Sequence, residues 1–384
     1  MTLQRMINTL INEIKPFIVM EVLEKASEME KQGIDVIHFE VGEPDFDLPE
    51  CIRLESSRAI EHGHTHYTHS LGDVQLREAI AKYYNKTYGV STHAGQIVVT
   101  MGSSPAILLV LSSLIEPGDE VIISNPGYAC YSNFIKYVHG RVVEVPVFPD
   151  NGFQYSPREI ARRVTDRTKA IIINSPMNPT GNLLSPEVMK EITGLGPYVL
   201  SDEIYQGLVY EGTPRSILEF TEKAFVVNGF SKAYAMTGLR LGYCICPEEF
   251  IRPIQKLQQT LFICAGSVSQ QCGIAALERC DEDLERMKQI YNTRRTYMIG
   301  RLKAMGFTIP VEPTGAFYVF VDSRHLSGDS YRLAFDILEK AHIGVTPGID
   351  FGSNGEGFLR FSYANSIENI EEGLNRLERY LPIH

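Results

Sequence analysis

The feature that most constrains the fold is a series of short, β-rich apolar runs separated by helix-like segments. Seven such runs occur at residues 97–100, 120–124, 142–147, 170–174, 198–201, 224–228 and 241–246. Some are apolar at almost every position, which is typical of strands buried on both faces. Helix-like stretches such as 105–115 and 186–193 lie between most of them. The alternation predicts an α/β fold, with a mainly parallel seven-stranded sheet covered by helices.

The pattern changes near residue 280. Residues 283–305 read as one long helix with Gly306 as its stop, and short strands (316–321, 358–362) and helices (331–341, 367–381) follow. Near the start of the chain, a helix at 18–31 and a strand at 36–40 are predicted to pack on this C-terminal part. We therefore expect a large domain at 48–280, and a smaller α+β domain built from both chain ends, 1–47 and 281–384.

Composition indicates which kinds of partner the protein binds and in which cellular compartment it is expected. The chain carries 36 basic and 47 acidic residues, a net charge of −11, which argues against binding nucleic acid or an anionic membrane through bulk charge. No apolar stretch approaches the roughly 20 residues that a membrane helix needs, and polar residues interrupt the N-terminus where a secretory signal would be apolar. The seven cysteines are odd in number and irregularly spaced, so we expect reduced thiols and a cytoplasmic protein.

Two basic residues that follow the run at 224–228 are candidates for a Schiff-base lysine and a phosphate-binding arginine. Lys232 lies in a segment with little other charge, and Arg240 follows eight residues later between glycines. A desolvated lysine loses its proton more readily, as a Schiff-base lysine must, and an arginine can hold a phosphate through two hydrogen bonds. Taken alone, both residues would more often be ordinary surface residues of a loop.

Other polar residues follow the ends of neighbouring runs. Asn178 comes after 170–174, Asp202 and Tyr205 come after 198–201, and Ser103 and Ser104 come just before a helix that starts near Pro105. In an open parallel sheet, ligands gather at the carboxyl ends of strands, and a helix N-terminus binds phosphate. These residues are therefore predicted to converge with Lys232 on one crevice. Singly, Asp202 also suits a helix N-cap, and Asn178 suits a turn before Pro179.

Together, these motifs resemble those of the fold-type I pyridoxal-phosphate enzymes, specifically the class I/II aminotransferases. The resemblance covers essentially the whole chain, and its specificity lies in the order and spacing of the pieces. The matching pieces are Gly42-Glu-Pro-Asp-Phe, Tyr67-Thr-His-Ser-Leu-Gly, Asn125-Pro-Gly-Tyr-Ala-Cys-Tyr, Asn174 to Gly181, Asp202-Glu-Ile-Tyr, Ser231-Lys232 to Arg240, Gly315-Ala-Phe-Tyr and Pro347-Gly to Arg360.

The resemblance implies a role for each residue around the cofactor, pyridoxal 5′-phosphate. Lys232 would form the Schiff base and shuttle the substrate proton, and Asp202 would pair with the pyridine nitrogen and keep it protonated. Tyr205 and Asn178 would donate to the phenolic oxygen, which makes Lys232, Asp202 and Tyr205 the catalytic set. Tyr128 would stack on the pyridine ring, although a lone tyrosine is more often a core residue.

The resemblance also indicates which residues would bind the cofactor phosphate and the substrate. Ser103, Ser104 and Arg240 would hold the phosphate, and Ser231 would add a hydroxyl, although Gly229 stands where the family often has a hydroxyl residue. Tyr67 would reach the phosphate from a neighbouring subunit, so the site would be complete only in a homodimer. Arg360 would clamp the substrate α-carboxylate, with Asn178 beside it and Gly42 in a segment that closes over the substrate.

The implied activity is transfer of an amino group from an L-amino acid to a 2-oxo acid by ping-pong chemistry, with 2-oxoglutarate as the expected acceptor. A β-eliminating C–S lyase or a related synthase on the same scaffold is the alternative that these motifs leave open. A non-catalytic regulator is disfavoured, because the acidic chain shows no room for a helix-turn-helix ahead of residue 18. Ser103-Ser104 stands where some aspartate-using relatives direct a lysine at a second carboxylate. A different Arg or Lys of the partner chain could serve that carboxylate, so a broad specificity, or one for aromatic or aliphatic amino acids, is about as plausible as one for aspartate.

We predict no metal site. His62, His64, His66 and His69 form a histidine-rich stretch, but no accompanying carboxylate pattern supports zinc. An extended loop that crosses to a partner subunit is the preferred interpretation. Cys244 and Cys246 alternate along a strand, so their side chains share a face and are expected in the core.

Overall fold

The computed structural model describes residues 8–381, which contain twelve α-helices. The helix predicted at 18–31 is present with those bounds, and most of the others begin or end within a few residues of the sequence pattern. The helices are α1 Ile18–Lys31, α2 Glu50–Glu61, α3 Val74–Tyr88, α4 Ser103–Leu114, α5 Cys130–Tyr137, α6 Pro157–Ala161, α7 Pro186–Thr193, α8 Glu248–Leu261, α9 Ser267–Arg279, α10 Asp281–Ala304, α11 Ser330–Ala341 and α12 Ile367–Tyr380.

The described residues also form twelve strands, of which seven correspond to the apolar runs. The strand predicted at 36–40 is much shorter in the structure, because only two of its residues pair. The strands are β1 Ile37–His38, β2 Ile97–Thr100, β3 Glu120–Asn125, β4 Arg141–Pro146, β5 Thr168–Asn174, β6 Tyr198–Asp202, β7 Ala224–Gly229, β8 Gly242–Ile245, β9 Tyr318–Asp322, β10 Ile343–Gly344, β11 Thr346–Pro347 and β12 Phe358–Ser362.

The large sheet has seven strands in the order β2-β8-β7-β6-β5-β3-β4. Strand β8 runs antiparallel to both of its neighbours, β2 and β7, whereas the pairs from β7 to β4 are all parallel. The prediction of an α/β fold with a mainly parallel seven-stranded sheet is therefore confirmed. Because parallel strands need crossover connections, helices cover both faces of this sheet.

Alternation along the strands explains why the runs are apolar throughout. In β5, Ile171 and Ile173 join the core on one face, while Ala170 and Ile172 join the core on the other. The first core is completed by residues of α2, α3, α7 and α9, and the second by residues of α4, α5 and α8. Successive strand side chains point to opposite faces, so a strand covered on both sides cannot carry polar residues at every second position.

A smaller unit packs beside the large sheet. It contains the three-stranded antiparallel sheet β11-β12-β9 and the parallel pair β1–β10, which joins the N-terminal segment to the C-terminal part. Helix α1 packs on α11 and β11, so both chain ends contribute, as the sequence suggested. The boundaries at 47/48 and 280/281 stay a prediction, and residues 1–7 and 382–384 of the predicted small domain lie outside the described part of the chain.

One expectation about the cysteines is wrong. Cys51 in α2 and Cys280 between α9 and α10 are joined by a disulfide bond across 229 residues of sequence. The linear spacing of cysteines does not indicate which helices meet, whereas in the fold α2 packs against α9 and brings the two thiols together. Cys244 and Cys246 are buried and unbonded, as expected. The cytoplasmic location stays a prediction.

Within residues 8–381, every helix is too short or too polar to span a bilayer.

A glycine in β8 lets the loop before α4 approach the sheet. A Cβ on Gly242 would lie 2.5 Å from the carbonyl carbon of Gly102 and 2.7 Å from the amide nitrogen of Ser103. Both of these contacts are backbone atoms, which cannot rotate away as a side chain does. The position of the N-terminus of α4 therefore depends on the missing side chain.

We expect Gly242→Ala to lower the free energy of unfolding by about 1–3 kcal/mol, because the added methyl group overpacks this contact. The matched control is Gly300→Ala in the exposed middle of α10, where a Cβ meets nothing within 4 Å. That change should stabilise the protein by about 0.5–1 kcal/mol. Urea unfolding of the two variants checks both signs, and equal effects would contradict the packing argument.

Candidate active site

The carboxyl ends of β5, β6 and β7 open onto one cavity of about 230 Å³. Because parallel strands all end at the same edge, residues that follow different strands meet there. Eight of the predicted site residues line this cavity, and a ninth lies at the start of α4. Those that line the cavity are Gly42, Ser103, Tyr128, Asn178, Asp202, Tyr205, Lys232 and Arg360, and Arg240 lies beside Gly102 at the start of α4.

Lys232 lies three residues beyond the end of β7. Its Nζ donates a hydrogen bond to the Gly42 carbonyl oxygen at 2.6 Å. Burial lowers the pKa of Lys232 to about 8; the positive charges of Arg360 and Arg240 add to this effect, and Glu43 opposes it. A neutral amine is therefore accessible near neutral pH, which is the form that attacks an aldehyde.

Asp202 is the last residue of β6, and its side chain is buried. Tyr131 donates from its hydroxyl to Asp202 Oδ2 at 2.7 Å, and the Ile204 amide donates to Oδ1 at 3.2 Å. Burial raises the pKa of Asp202 to about 6, while these two hydrogen bonds and Lys232 act in the opposite direction. The carboxylate is thus held at the base of the cavity, oriented and nearly unhydrated.

Tyr131 is a residue that sequence reasoning did not single out. It lies in the first turn of α5, three residues after Tyr128, and the two rings pack edge to face with centroids 5.2 Å apart. A buried tyrosine in an apolar helix usually indicates core packing. The only signal in the sequence was its place at the end of the Asn-Pro-Gly-Tyr-Ala-Cys-Tyr motif.

Tyr205 and Tyr318 form a second pair of hydroxyls in the cavity. Their oxygens are 2.8 Å apart, and both side chains are buried. Tyr318 begins β9, and a Cβ on Gly42 would overlap its hydroxyl. The absence of a side chain at residue 42 therefore lets the backbone that accepts the Lys232 hydrogen bond pass close to this pair. Tyr318 also was not predicted as a site residue.

Arg360 comes from β12 of the small unit and is buried. Its Nη1 donates to Asn178 Oδ1 at 2.9 Å, and its Nη2 donates to the Glu40 carbonyl oxygen at 2.6 Å and to Thr346 Oγ1 at 3.1 Å. The guanidinium lies over the Tyr318 ring, 4.1 Å from its centroid. Its Nε has no hydrogen-bond partner, and none of the groups that it contacts within residues 8–381 is a carboxylate. A buried cation without an anionic partner favours an anionic ligand.

The other end of the cavity is suited to a phosphate group. Helix α4 begins at Ser103 with Gly102 as its N-cap and no side-chain cap, so the first amide groups, including that of Ser104, remain available. The Arg240 guanidinium lies against Gly102, and its Nη1 donates to the Thr237 carbonyl oxygen at 2.8 Å. Arg240 has a φ of 49°, a conformation that costs energy for a non-glycine residue. Ser231, just after β7, is buried.

Tyr67 is the one predicted residue far from this arrangement. Its side chain is 80% exposed and does not line the cavity. The segment around it is nevertheless fixed to the large sheet's helices: Ser267 donates to the His64 carbonyl oxygen at 2.7 Å, and Gln259 donates to Ser70 Oγ at 3.1 Å. Tyr67 is thus presented outward from an ordered segment.

An aldehyde that carries a phosphate fits this set of residues. The nucleophilic lysine and the buried carboxylate lie at the sheet edge, anion donors lie at the N-terminus of α4, and an aromatic ring, Tyr128, lies in the cavity wall. The buried Nε of Arg360, which lacks a partner, indicates a second anionic group nearby. These residues could hold a phosphorylated aldehyde by its phosphate and place a carboxylate near Lys232.

Comparisons with known proteins agree with this geometry. The family described as Aminotransferase class I and II matches residues 34–377. The (5-formylfuran-3-yl)methyl phosphate transaminase of Methanocaldococcus jannaschii is 41% identical over 98% of this chain and 100% of its own length. The aspartate aminotransferase of Pyrococcus horikoshii is 39% identical over 96% of this chain and 95% of its own. The structure of the Thermus thermophilus aspartate aminotransferase with maleate superposes with a TM-score of 0.94, at 35% identity, over 98% of this chain and 99% of that one.

The hydrogen bond from Tyr131 to Asp202 is expected to contribute to the free energy of unfolding by an amount that depends on pH. Because the pKa of Asp202 is about 6 in the folded protein and 3.8 ordinarily, the folded state binds the extra proton. The contribution of Asp202 to the free energy of unfolding therefore falls as pH rises from about 4 to about 6. Tyr131→Phe removes a donor to the carboxylate, so it should destabilise by about 1.5–3 kcal/mol above pH 7 and by less at pH 4.5.

Urea unfolding of the cofactor-free protein at pH 4.5 and 7.5 measures this difference. The control is Tyr155→Phe, because Tyr155 is equally buried but donates to Ser124 Oγ and the Ile172 carbonyl oxygen, neither of which titrates. Its destabilisation should be the same at both pH values. A Tyr131→Phe effect that is independent of pH would show that Asp202 is not stabilised through this bond.

Proposed function

Because this chain belongs to the class I and II aminotransferase family and is an aminotransferase, we propose that it holds pyridoxal 5′-phosphate in the cavity around Lys232. The amino group passes from an L-amino acid to the enzyme and then to a 2-oxo acid, in ping-pong order. The observation that carries the proposal is that a desolvated lysine, a buried carboxylate and a buried guanidinium without an ion-pair partner line one cavity.

The cofactor's contribution is an aldehyde carbon that condenses with amines and a protonated ring that accepts an electron pair. Asp202 would pair with the ring nitrogen and keep it protonated, since a buried carboxylate favours a neighbouring positive charge. Tyr205 would donate to the phenolic oxygen. Asn178 is committed to Arg360 through its amide oxygen, which leaves its amide nitrogen as the donor to the same phenolic oxygen.

Arg240 and the N-terminus of α4, including the hydroxyls of Ser103 and Ser104, would hold the phosphate, with Ser231 next to Lys232 as a further hydroxyl. Tyr128 would pack on the ring face. These contacts would hold the cofactor without using the residues that handle the substrate, so both halves of the reaction would share one orientation.

Lys232 acts on the proton of the substrate's Cα. Its lowered pKa gives Nζ a neutral population near neutral pH, so it would accept that proton and later release it. Arg360 binds the substrate α-carboxylate, because the guanidinium is desolvated and braced by the Glu40 carbonyl oxygen, Thr346 and the Tyr318 ring. This bracing sets the orientation of the Cα–H bond relative to Lys232.

Spectra of the purified protein test these assignments. Lys232→Ala should abolish turnover and the absorption band of the lysine-bound cofactor, whereas Lys223→Ala, at an exposed lysine of the same charge, should leave both unchanged. Arg360→Ala should keep the cofactor band and raise the KM for amino acids about 100-fold, the loss expected for charge-assisted hydrogen bonds. Retained turnover in Lys232→Ala, or an unchanged KM in Arg360→Ala, would contradict the proposed roles.

We further propose a homodimer that shares its active sites. The apolar side chains of Leu54, Ile60 and Tyr67 are exposed on the stretch from α2 to α3, as are Leu261 at the end of α8 and Ile263 just after it. The hydrogen bonds from α8 and α9 to this stretch bring the two groups into one region. Exposed apolar patches of this kind favour association, and a second copy would carry Tyr67 to the phosphate of its neighbour.

Hybrid dimers distinguish a shared site from a self-contained one. In a dimer of one Lys232→Ala subunit and one Tyr67→Ala subunit, a shared arrangement leaves one site with both residues intact. At limiting pyridoxal phosphate, we therefore expect the activity of this hybrid to equal that of a hybrid between Lys232→Ala and the unchanged chain. If the hybrid instead keeps the lowered cofactor affinity of Tyr67→Ala, then Tyr67 acts within its own subunit, and an unchanged affinity in Tyr67→Ala itself would show that Tyr67 has no role.

A further inference from the structure

One wall of the cavity is apolar and comes almost entirely from the N-terminal segment. Phe17, Val19, Met20 and Leu23, which we call the α1 wall, line the cavity together with Ile107 of α4. The residues of the wall lie at the N-cap and in the first two turns of α1. They face a space whose other sides carry the polar groups already assigned to the cofactor and to the substrate carboxylate.

The positive charges of the cavity are already committed. Among the residues that line it, the cationic side chains are Lys232 and Arg360. Each has a role in the proposed function, on which this inference rests. Ser103 and Ser104 offer hydroxyls rather than a third cation. A second carboxylate on the substrate would therefore lose its hydration and contact aliphatic and aromatic carbon atoms instead.

A carboxylate holds the start of the helix that carries the α1 wall. Asp350 accepts hydrogen bonds from the amides of Ile18 at 2.9 Å and Val19 at 3.4 Å. It therefore caps this helix and fixes the position of its first turn.

The α1 wall is also a fixed part of the fold. Val22, Ala26 and Met29 of α1 form a buried cluster with Val36 and Leu338. On the cavity side, the Phe17 ring packs edge to face on Tyr128, with centroids 6.2 Å apart. The apolar surface is thus held in place from both sides and offers a preformed site for an apolar group.

We propose that the α1 wall binds the side chain of the amino donor, and that this side chain is large and apolar, with aromatic residues preferred. Phe17 offers an aromatic ring, and the Met20 thioether is a favourable neighbour for an aromatic ring. Arg360 fixes the α-carboxylate at one end, and the side chain extends from Cα towards Met20 and Leu23. Dicarboxylic donors are poor substrates because nothing in this wall pairs with their second charge.

The experiment is a single-turnover half-reaction, in which the loaded enzyme is mixed with one amino acid and the loss of the cofactor band is followed. We expect the specificity constant for L-phenylalanine to exceed that for L-aspartate by at least about 100-fold, with L-leucine between them. A larger specificity constant for L-aspartate would overturn the inference and leave the proposed function intact. Absence of reaction with every amino acid would overturn the proposed function itself.

A charge placed in the wall makes the test specific. Met20 is 45% exposed at the mouth of the cavity, so Met20→Arg adds a cation without opening the core. This variant should lower the phenylalanine-to-aspartate ratio at least tenfold. The control is Glu24→Arg, one turn further along α1, which is exposed and does not line the cavity. It should leave the ratio unchanged, and an equal change in both variants would contradict a role for the α1 wall.

Discussion

The site depends on the desolvation of charged groups at one edge of the sheet. Burial shifts the pKa of Asp202 upward and that of Lys232 downward, so both groups are moved towards neutrality by the same cause. Removing an ion from water costs several kcal/mol even after relaxation. The two apolar cores on the faces of the sheet provide the stability that allows Asp202, Lys232 and Arg360 to remain poorly hydrated and reactive.

The hydrogen bonds around these charges come from parts of the chain that are far apart in sequence. Tyr131 reaches Asp202 from α5, and Asn178 and the Glu40 carbonyl oxygen reach Arg360 from the large sheet and the N-terminal segment. The cavity therefore exists only when the large sheet and the small unit are packed together. The mixed origin of its walls also explains why one side is polar and the other, from α1, is apolar.

Much of the fold could be predicted from sequence, because its signals are local. Strands buried on both faces are apolar throughout, and the amphipathic period of α1 marks its bounds. The antiparallel direction of β8 and the strand order have no local signal, since a run such as 241–246 reads the same in either direction. The motif residues Lys232 and Asp202 were identified by their order, whereas Tyr131 and Tyr318 resembled core tyrosines. The Cys51–Cys280 bond was missed because only the packing of α2 on α9 brings the thiols together.

The hydrogen bonds from Ile18 and Val19 to Asp350 span more than 330 residues of sequence and hold the first turn of α1. The first turn of α1 therefore takes its place only when residues from both ends of the chain have folded together. While the chain is being synthesised, the strands that position Asp202 and Lys232 are complete before Asp350 is available. The side of the cavity that belongs to the large sheet can therefore form earlier than its apolar side.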